Sequence, residues 1–141
     1  MPLRVHPSAL HCQVILTTAA CLAPVVSFSA DVPRDLQAAL RPFPTLSVAI
    51  EGQTLRVVMN EPFVQRRTYE AIASAYCTSA ARSTRRPWGG LPLKGIEVVN
   101  VTQAQGFGFS GTVVDCARWA KLPPDATEAF VDQRTRPLQR Q

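Results

Sequence analysis

Apolar and polar positions alternate most regularly over residues 45–59, where Leu46, Val48 and Ile50 are answered by Leu55, Val57 and Met59. The spacing predicts two strands, residues 45–50 and 53–59, flanking Glu51-Gly52, a two-residue connection with glycine where φ > 0 is required. In that register Val48 faces Leu55 and Leu46 faces Val57, so the apolar side chains of both strands fall on one face.

The period then changes from two to between three and four. Tyr69, Ile72, Ala73, Tyr76, Cys77, Ala80 and Ala81 form the core stripe of a main helix, with Gln65, Arg66, Arg67, Glu70 and Ser74 on its opposite side. Asn60 suits the cap of that helix, with Glu61 and Pro62 in its first turn. Ahead of the hairpin, residues 31–40 predict one or two helical turns carrying Leu36, Ala39 and Leu40, stopped by Pro42 and Pro44.

Beyond the main helix, residues 82–92 lose all periodicity, and Arg85-Arg86-Pro87-Trp88-Gly89-Gly90 reads as a loop. A third strand is expected over residues 96–102 and a fourth over 107–116, with 103–106 turning between them. In the third, the apolar phase switches between Val98 and Val99, which implies burial on both faces or a bulge. In the fourth, Phe107, Phe109 and Val113 oppose Val114 and Cys116. Either a bulge at Gly111 reverses the phase, or the phenylalanines face away from the main helix, into a second small core with Trp119 and Phe130 or into an exposed patch. Pro123-Pro124 breaks the chain, and Asp125 with Glu128 makes a capping-box-like start for a short helix containing Ala129, Phe130 and Val131.

These elements make one small α+β domain over residues 31–133: two β-hairpins in an antiparallel or mixed sheet, one main helix packed on it, and one disulfide. Residues 134–141 are expected to form a disordered tail, because only Leu138 is apolar there.

The amino-terminal pattern differs from everything after it. Arg4 precedes an apolar run over residues 14–30, and small residues close the run before Asp31, the layout of a secretory signal peptide. Thr17, Thr18 and Pro24 interrupt a stretch shorter than the roughly 20 apolar residues of a spanning helix, so cleavage after Ser29 or Ala30 is expected. The exported chain would be periplasmic or extracellular, touching membrane only if this segment stayed uncleaved. Cys21 follows Thr18-Ala19-Ala20, a faint likeness to the box before a lipidated cysteine, but the residues after it are as apolar as those before it.

Export changes how the cysteines read. Of four, Cys77 and Cys116 survive cleavage, and an even pair in an oxidising compartment predicts a disulfide with Cα atoms within about 7 Å. A bridge over 39 positions removes about 4 kcal/mol of unfolded-chain entropy in the loop-closure model.

Export also removes His6 and His11, so a mature chain has no histidine for a Ser/His/Asp or Cys/His mechanism and lacks the commonest metal ligand. Carboxylates remain, in Glu51, Glu61, Glu70, Glu97 and Asp115, but no spacing singles out a pair. Residues 106–111 match G-x-G-x-x-G in letters, yet the strand expected after them offers no helix terminus for a pyrophosphate, so no cofactor is expected. Asn100-Val101-Thr102 has the form of a glycosylation sequon inside an expected strand, and reads as chance.

Removing Arg4 leaves 14 basic against 10 acidic residues, with Lys94 and Lys121 the only lysines. Arg66 and Arg67 on the main helix, with Arg82, Arg85 and Arg86 near its end and Trp88 beside them, form the one cluster with a binding composition, since arginine next to an aromatic grips oxyanions and stacks on planar groups. Phe107 and Phe109 are the other candidate contacts. The sequence thus points to a small exported non-catalytic binding or accessory protein of the cell envelope, an assembly component or protein inhibitor, with an unidentified protein or an anionic envelope component as partner and no specific nucleic-acid signal. The alternative is a carboxylate-dependent hydrolase acting on envelope polymers.

Overall fold

A computed structural model describes residues 26–83 and 86–140. The chain runs β1 (Ser27–Phe28), α1 (Arg34–Leu40), β2 (Thr45–Glu51), β3 (Thr54–Met59), α2 (Arg66–Arg82), a 3-10 turn (Pro87–Gly90), β4 (Gly95–Val99), β5 (Gln105–Ser110), α3 (Val113–Trp119), α4 (Pro124–Arg134) and β6 (Thr135–Gln139). One mixed six-stranded sheet holds the strands in chain order, with β1 parallel to β2, β3 parallel to β4, and every other neighbouring pair antiparallel. The α+β class and the two hairpins, β2–β3 and β4–β5, are as the pattern predicted. Four helices are described where the sequence pointed to one main helix with shorter companions.

Register decides which side chains meet the helices. Val48, Val57, Val98 and Phe107 form one cross-strand row, and Ile50, Leu55, Ile96 and Phe109 form the next. Both rows feed the core that also takes Leu36 and Leu40 of α1 and Tyr69, Ile72, Ala73 and Tyr76 of α2. Each fully buried aliphatic side chain there contributes about 1.5–3 kcal/mol. The other sheet face carries the row Ala49, Arg56, Glu97, Gly108 and Arg136. Gly106 sits where a Cβ would lie 2.0 Å from the Val98 carbonyl oxygen, so this tight strand crossing admits no side chain.

The first hairpin forms with its register moved by one pair. Glu51 pairs with Thr54, Ile50 with Leu55 and Val48 with Val57, because Gly52 (φ 63) and Gln53 make the connection. A shift of two residues preserves the faces. A bulge between Thr45 and Ser47 takes Leu46 out of the ladder and buries Thr45 opposite Met59 instead.

The main helix starts later than expected, at Arg66 after Gln65. Residues 61–65 are held by the β4–β5 connection: Val101 N donates to the Glu61 carbonyl at 3.0 Å, Asn100 Nδ2 to Pro62 at 2.7 Å, and Val64 N to Gln105 Oε1 at 2.8 Å. These bonds outweigh the local capping preference of Asn60. Val98 and Val99 are both buried, so the phase switch in this strand reflects burial on both faces.

The fourth strand ends at Ser110, and Thr112 caps α3 through a capping box, its Oγ1 accepting from Asp115 N while Asp115 Oδ2 accepts from Thr112 N. Thr112 to Cys116, expected as strand, is therefore helix and cap. The conflict between Cys116 and the phenylalanines disappears, because they lie on different elements. Cys77 and Cys116 are bonded, with Cα atoms 4.7 Å apart, and the bridge joins helix to helix rather than helix to strand. Asp125 stands in the first turn of α4 without a capping box. The segment expected to be a disordered tail forms β6, paired along β5 through backbone hydrogen bonds that need little apolar surface.

β1 falls on the removed side of the expected export cut, and Ser29 N donates to the Val48 carbonyl at 2.9 Å. Residues 1–25, which include the apolar run up to that point, lie outside the described residues.

Candidate functional site

Where α1 crosses α2, both helices present short side chains. Ala38 and Ala39 face Ala71, Ser74, Ala75 and Thr78, with Asp35 and Arg82 also in the wall, and together they leave a groove of about 450 Å³. A second cavity of about 540 Å³ adjoins it at Asp35 and extends past Arg34, Arg86, Gly89 and Leu91. The two share Asp35 in their walls; Arg82 lines the helical part of this trough, and Asp31, Arg34 and Arg86 line its mouth.

Trp88 shapes this mouth from beneath. It is 0% exposed, stacks on Tyr76 with ring centroids 4.5 Å apart, and donates from Nε1 to Ser79 Oγ at 2.9 Å. Its backbone N–H meets Asp35 Oδ2 at 3.3 Å. Trp88 also has φ 52 and ψ 34, followed by Gly89 at φ 66 and Gly90 at φ 86. A left-handed bulky residue is an outlier that persists only where its surroundings over-determine it, and such strain concentrates at binding and switch regions. Tyr76, Ser79 and Asp35 supply that determination from two helices. Burial pushes the Tyr76 hydroxyl pKa up, so it stays protonated and donates to the Gly111 carbonyl at 3.0 Å.

Two members of the arginine cluster are thus brought together with the trough: Arg82 lines its helical part and Arg86 its mouth. Arg85 lies outside the described residues. Trp88, expected beside them as a stacking surface, is a core residue whose ring is covered. Phe109 is 2% exposed and packs on Trp119 at 5.4 Å, which in turn meets Phe130 at 6.1 Å. Phe107 is half-buried, 5.1 Å from Tyr69 and 5.8 Å beneath the Arg66 guanidinium. Both phenylalanines face the helices, so neither makes an exposed patch.

On the far flank of α2 the Cys77–Cys116 bridge lies in the wall of a smaller cavity of about 250 Å³, with Trp119 and Thr127. Asp115 anchors that flank. The Thr112 backbone N–H and then its hydroxyl hold the Asp115 carboxyl below the usual range, helped by Arg134 at 3.1 Å.

The acids that could serve catalysis are mostly engaged. Glu97 is bonded to Arg56 and Arg136, Glu70 to Arg66, and Asp115 to Thr112 and Arg134, while Glu51 lies 3.7 Å from Arg56. The hydrogen bond that Arg66 Nε donates to the Glu70 carboxylate raises the Arg66 pKa. Among the described residues no three His, Cys, Asp or Glu side chains gather as a metal site requires. The glycine-rich match at 106–111 does precede a helix, contrary to the strand expected there, but Asp115 already fills that helix terminus. Asn100 of the sequon is 5% exposed, its side chain bonded to Pro62, Ala104 and Gln105.

Sequence reasoning passed over Asp35, Ala38, Ala71 and Ala75, and read Ala39 as part of the apolar side of the first helix. Their signal was present as Ala38-Ala39 and Ala71/Ala75, short residues at helical spacing beside the apolar stripes of both helices. No protein-family model, curated protein or solved structure matches the chain, so its site is read from its own geometry.

Proposed function

We propose that the chain is a small exported, non-catalytic binding or accessory protein of the cell envelope, and that it holds its partner in the α1–α2 trough. The observation that carries this reading is Trp88: a buried, left-handed tryptophan fixed by Asp35, Tyr76 and Ser79 at the mouth of an open groove. Strain kept at the edge of a preformed concavity suits a site shaped in advance for a ligand. The exposed Arg82 and Arg86, with Asp31 and Asp35 between the helices, provide a rim of both signs, which selects a partner by complementary charge. The disulfide and the amino-terminal pattern support export. Among the described residues no helix is long and apolar enough to cross a membrane.

Cleavage after Ser29 or Ala30 would strip β1 from the sheet edge and leave Val32 and α1, hence the groove wall, in place. Intact-mass analysis of the exported chain tests export, with a start at Ala30 or Asp31 expected and a full-length mass against it. A photo-crosslinking residue at Ala71, compared with one at Val114 on α3, tests the groove. Envelope extracts should yield an adduct from position 71 alone; equal adducts from both positions would remove the assignment.

A further inference from the structure

The two ends of the sheet are protected in different ways. At one, β6 carries Arg136 and Pro137, a charge and a residue without a backbone N–H, both of which discourage a further strand. At the other, β2 has neither charge nor proline from Ser47 to Ile50, and residues 27–29 lie along it instead. That cover is short and specific. Ser27 pairs with Ser47 and Phe28 with Val48 in parallel, Ser29 N donates to the Val48 carbonyl at 2.9 Å, and Val32 N donates to the Ser29 carbonyl at 3.1 Å. The Phe28 side chain packs against the core. Alternate residues of a strand turn their backbone groups to the same edge, so Ile50 extends the row that Val48 begins.

A cut after Ser29 or Ala30 removes the strand, the Phe28 side chain and the donor to Val48 together. It leaves an unpaired strand edge beside the apolar space that Phe28 held. Natural sheets cover such an edge or use it, and a used edge takes an extended chain whose backbone completes the ladder while alternate side chains enter pockets. The geometry points to the β2 edge of the exported chain as a binding site for an extended segment of a partner protein, running parallel to β2 with an aromatic side chain in the place of Phe28 and small residues on either side. Residues 27–29 supply that description of the occupant, since Ser-Phe-Ser is what the edge holds before the cut. The site rests on the export reading and is separate from the α1–α2 trough.

Titration of the ¹⁵N-labelled exported chain, its start established by intact mass, with the acetylated and amidated peptide of residues 26–30 tests the site. Saturable one-site shifts should appear at residues 47–50 and at Val32, and the full-length chain, whose edge is filled, should show none. Phe28→Ala in the peptide should weaken binding about tenfold. A methyl group on the Ser29 nitrogen, which removes the donor to Val48, should abolish binding, and the reversed sequence should bind about tenfold more weakly than the parent peptide. These changes are confined to the peptide, so the protein and its folding stay the same throughout. A mass that retains residues 27–29 would overturn the expected cut and, with the edge filled, this site with it. A start at Ala30 or Asp31 with no folded spectrum, with no saturable shift, with equal binding of the reversed peptide, or with shifts at Ala71 and Ser74 instead, would overturn the site and leave the cut standing. An exported chain that sediments as a dimer joined through β2 would give the edge to a second copy and overturn the partner segment.

Discussion

The two flanks of α2 are built from similar small residues and finished in opposite ways. Towards α3, the Cys77–Cys116 bridge closes the helix pair covalently, and the capping box of Thr112 and Asp115 fixes the incoming chain. Towards α1, Ala71, Ala75 and Thr78 line an open groove with Ala38 and Ala39, no disulfide joins the two helices, and the strained turn at Trp88 stands at the groove's edge. A domain of this size draws its stability from few sources. Concentrating the crosslink on one flank leaves the other free to keep a concavity that packing would otherwise fill.

The largest expected effect comes from opening the closed flank. Cys77→Ala with Cys116→Ala should cost about 4 kcal/mol in urea unfolding. Hydrogen exchange should rise first in α3, and an equal rise along α1 would break the distinction between the flanks.

Trp88→Phe keeps a ring against Tyr76 but removes the Nε1 bond to Ser79, and should cost about 1–2 kcal/mol. Exchange should increase around the 3-10 turn while α3 stays protected; unchanged stability would mean that the turn is not held by that bond.

Thr112→Ala should cost about 1 kcal/mol through loss of the cap. The Asp115 carboxyl is depressed in the folded state, so its contribution is present above the unfolded value of about 4 and fades as pH falls through the folded value. Asp115→Asn should therefore lower Tm at neutral pH and converge with the parent as the pH drops below about 4. A constant difference across that range would assign the effect to packing rather than charge.

Much of this architecture was legible because it rests on local periodicity. The alternation at Val48, Leu55 and Val57 and the stripe from Tyr69 to Ala80 name the core faces directly. What escaped was set by distant contacts. Asn60 is a good cap in isolation, but hydrogen bonds from the β4–β5 connection hold residues 61–65 and delay the helix. Thr112-Val113-Val114 has strand composition, yet Thr112 and Asp115 close a capping box that the β-branched pair concealed. β6 forms through backbone pairing, which leaves no apolar signature. At the candidate site Arg82 and Arg86 were readable as cations near a helix end. The groove itself was not, because space between two helices depends on how they cross. Arg56 and Glu97 could have been noticed as charges flanked by apolar neighbours in both strands.

Groove occupancy is tested most directly by Ala71→Trp, since Ala71 is exposed and lines the trough. An indole there fills the space without entering the core, and stability should change by no more than about 0.5 kcal/mol. Capture of the crosslinked partner, measured side by side for the parent, Ala71→Trp and Val114→Arg, should be lost in Ala71→Trp and kept in Val114→Arg. Undiminished capture by a folded Ala71→Trp variant would contradict the trough as the binding surface.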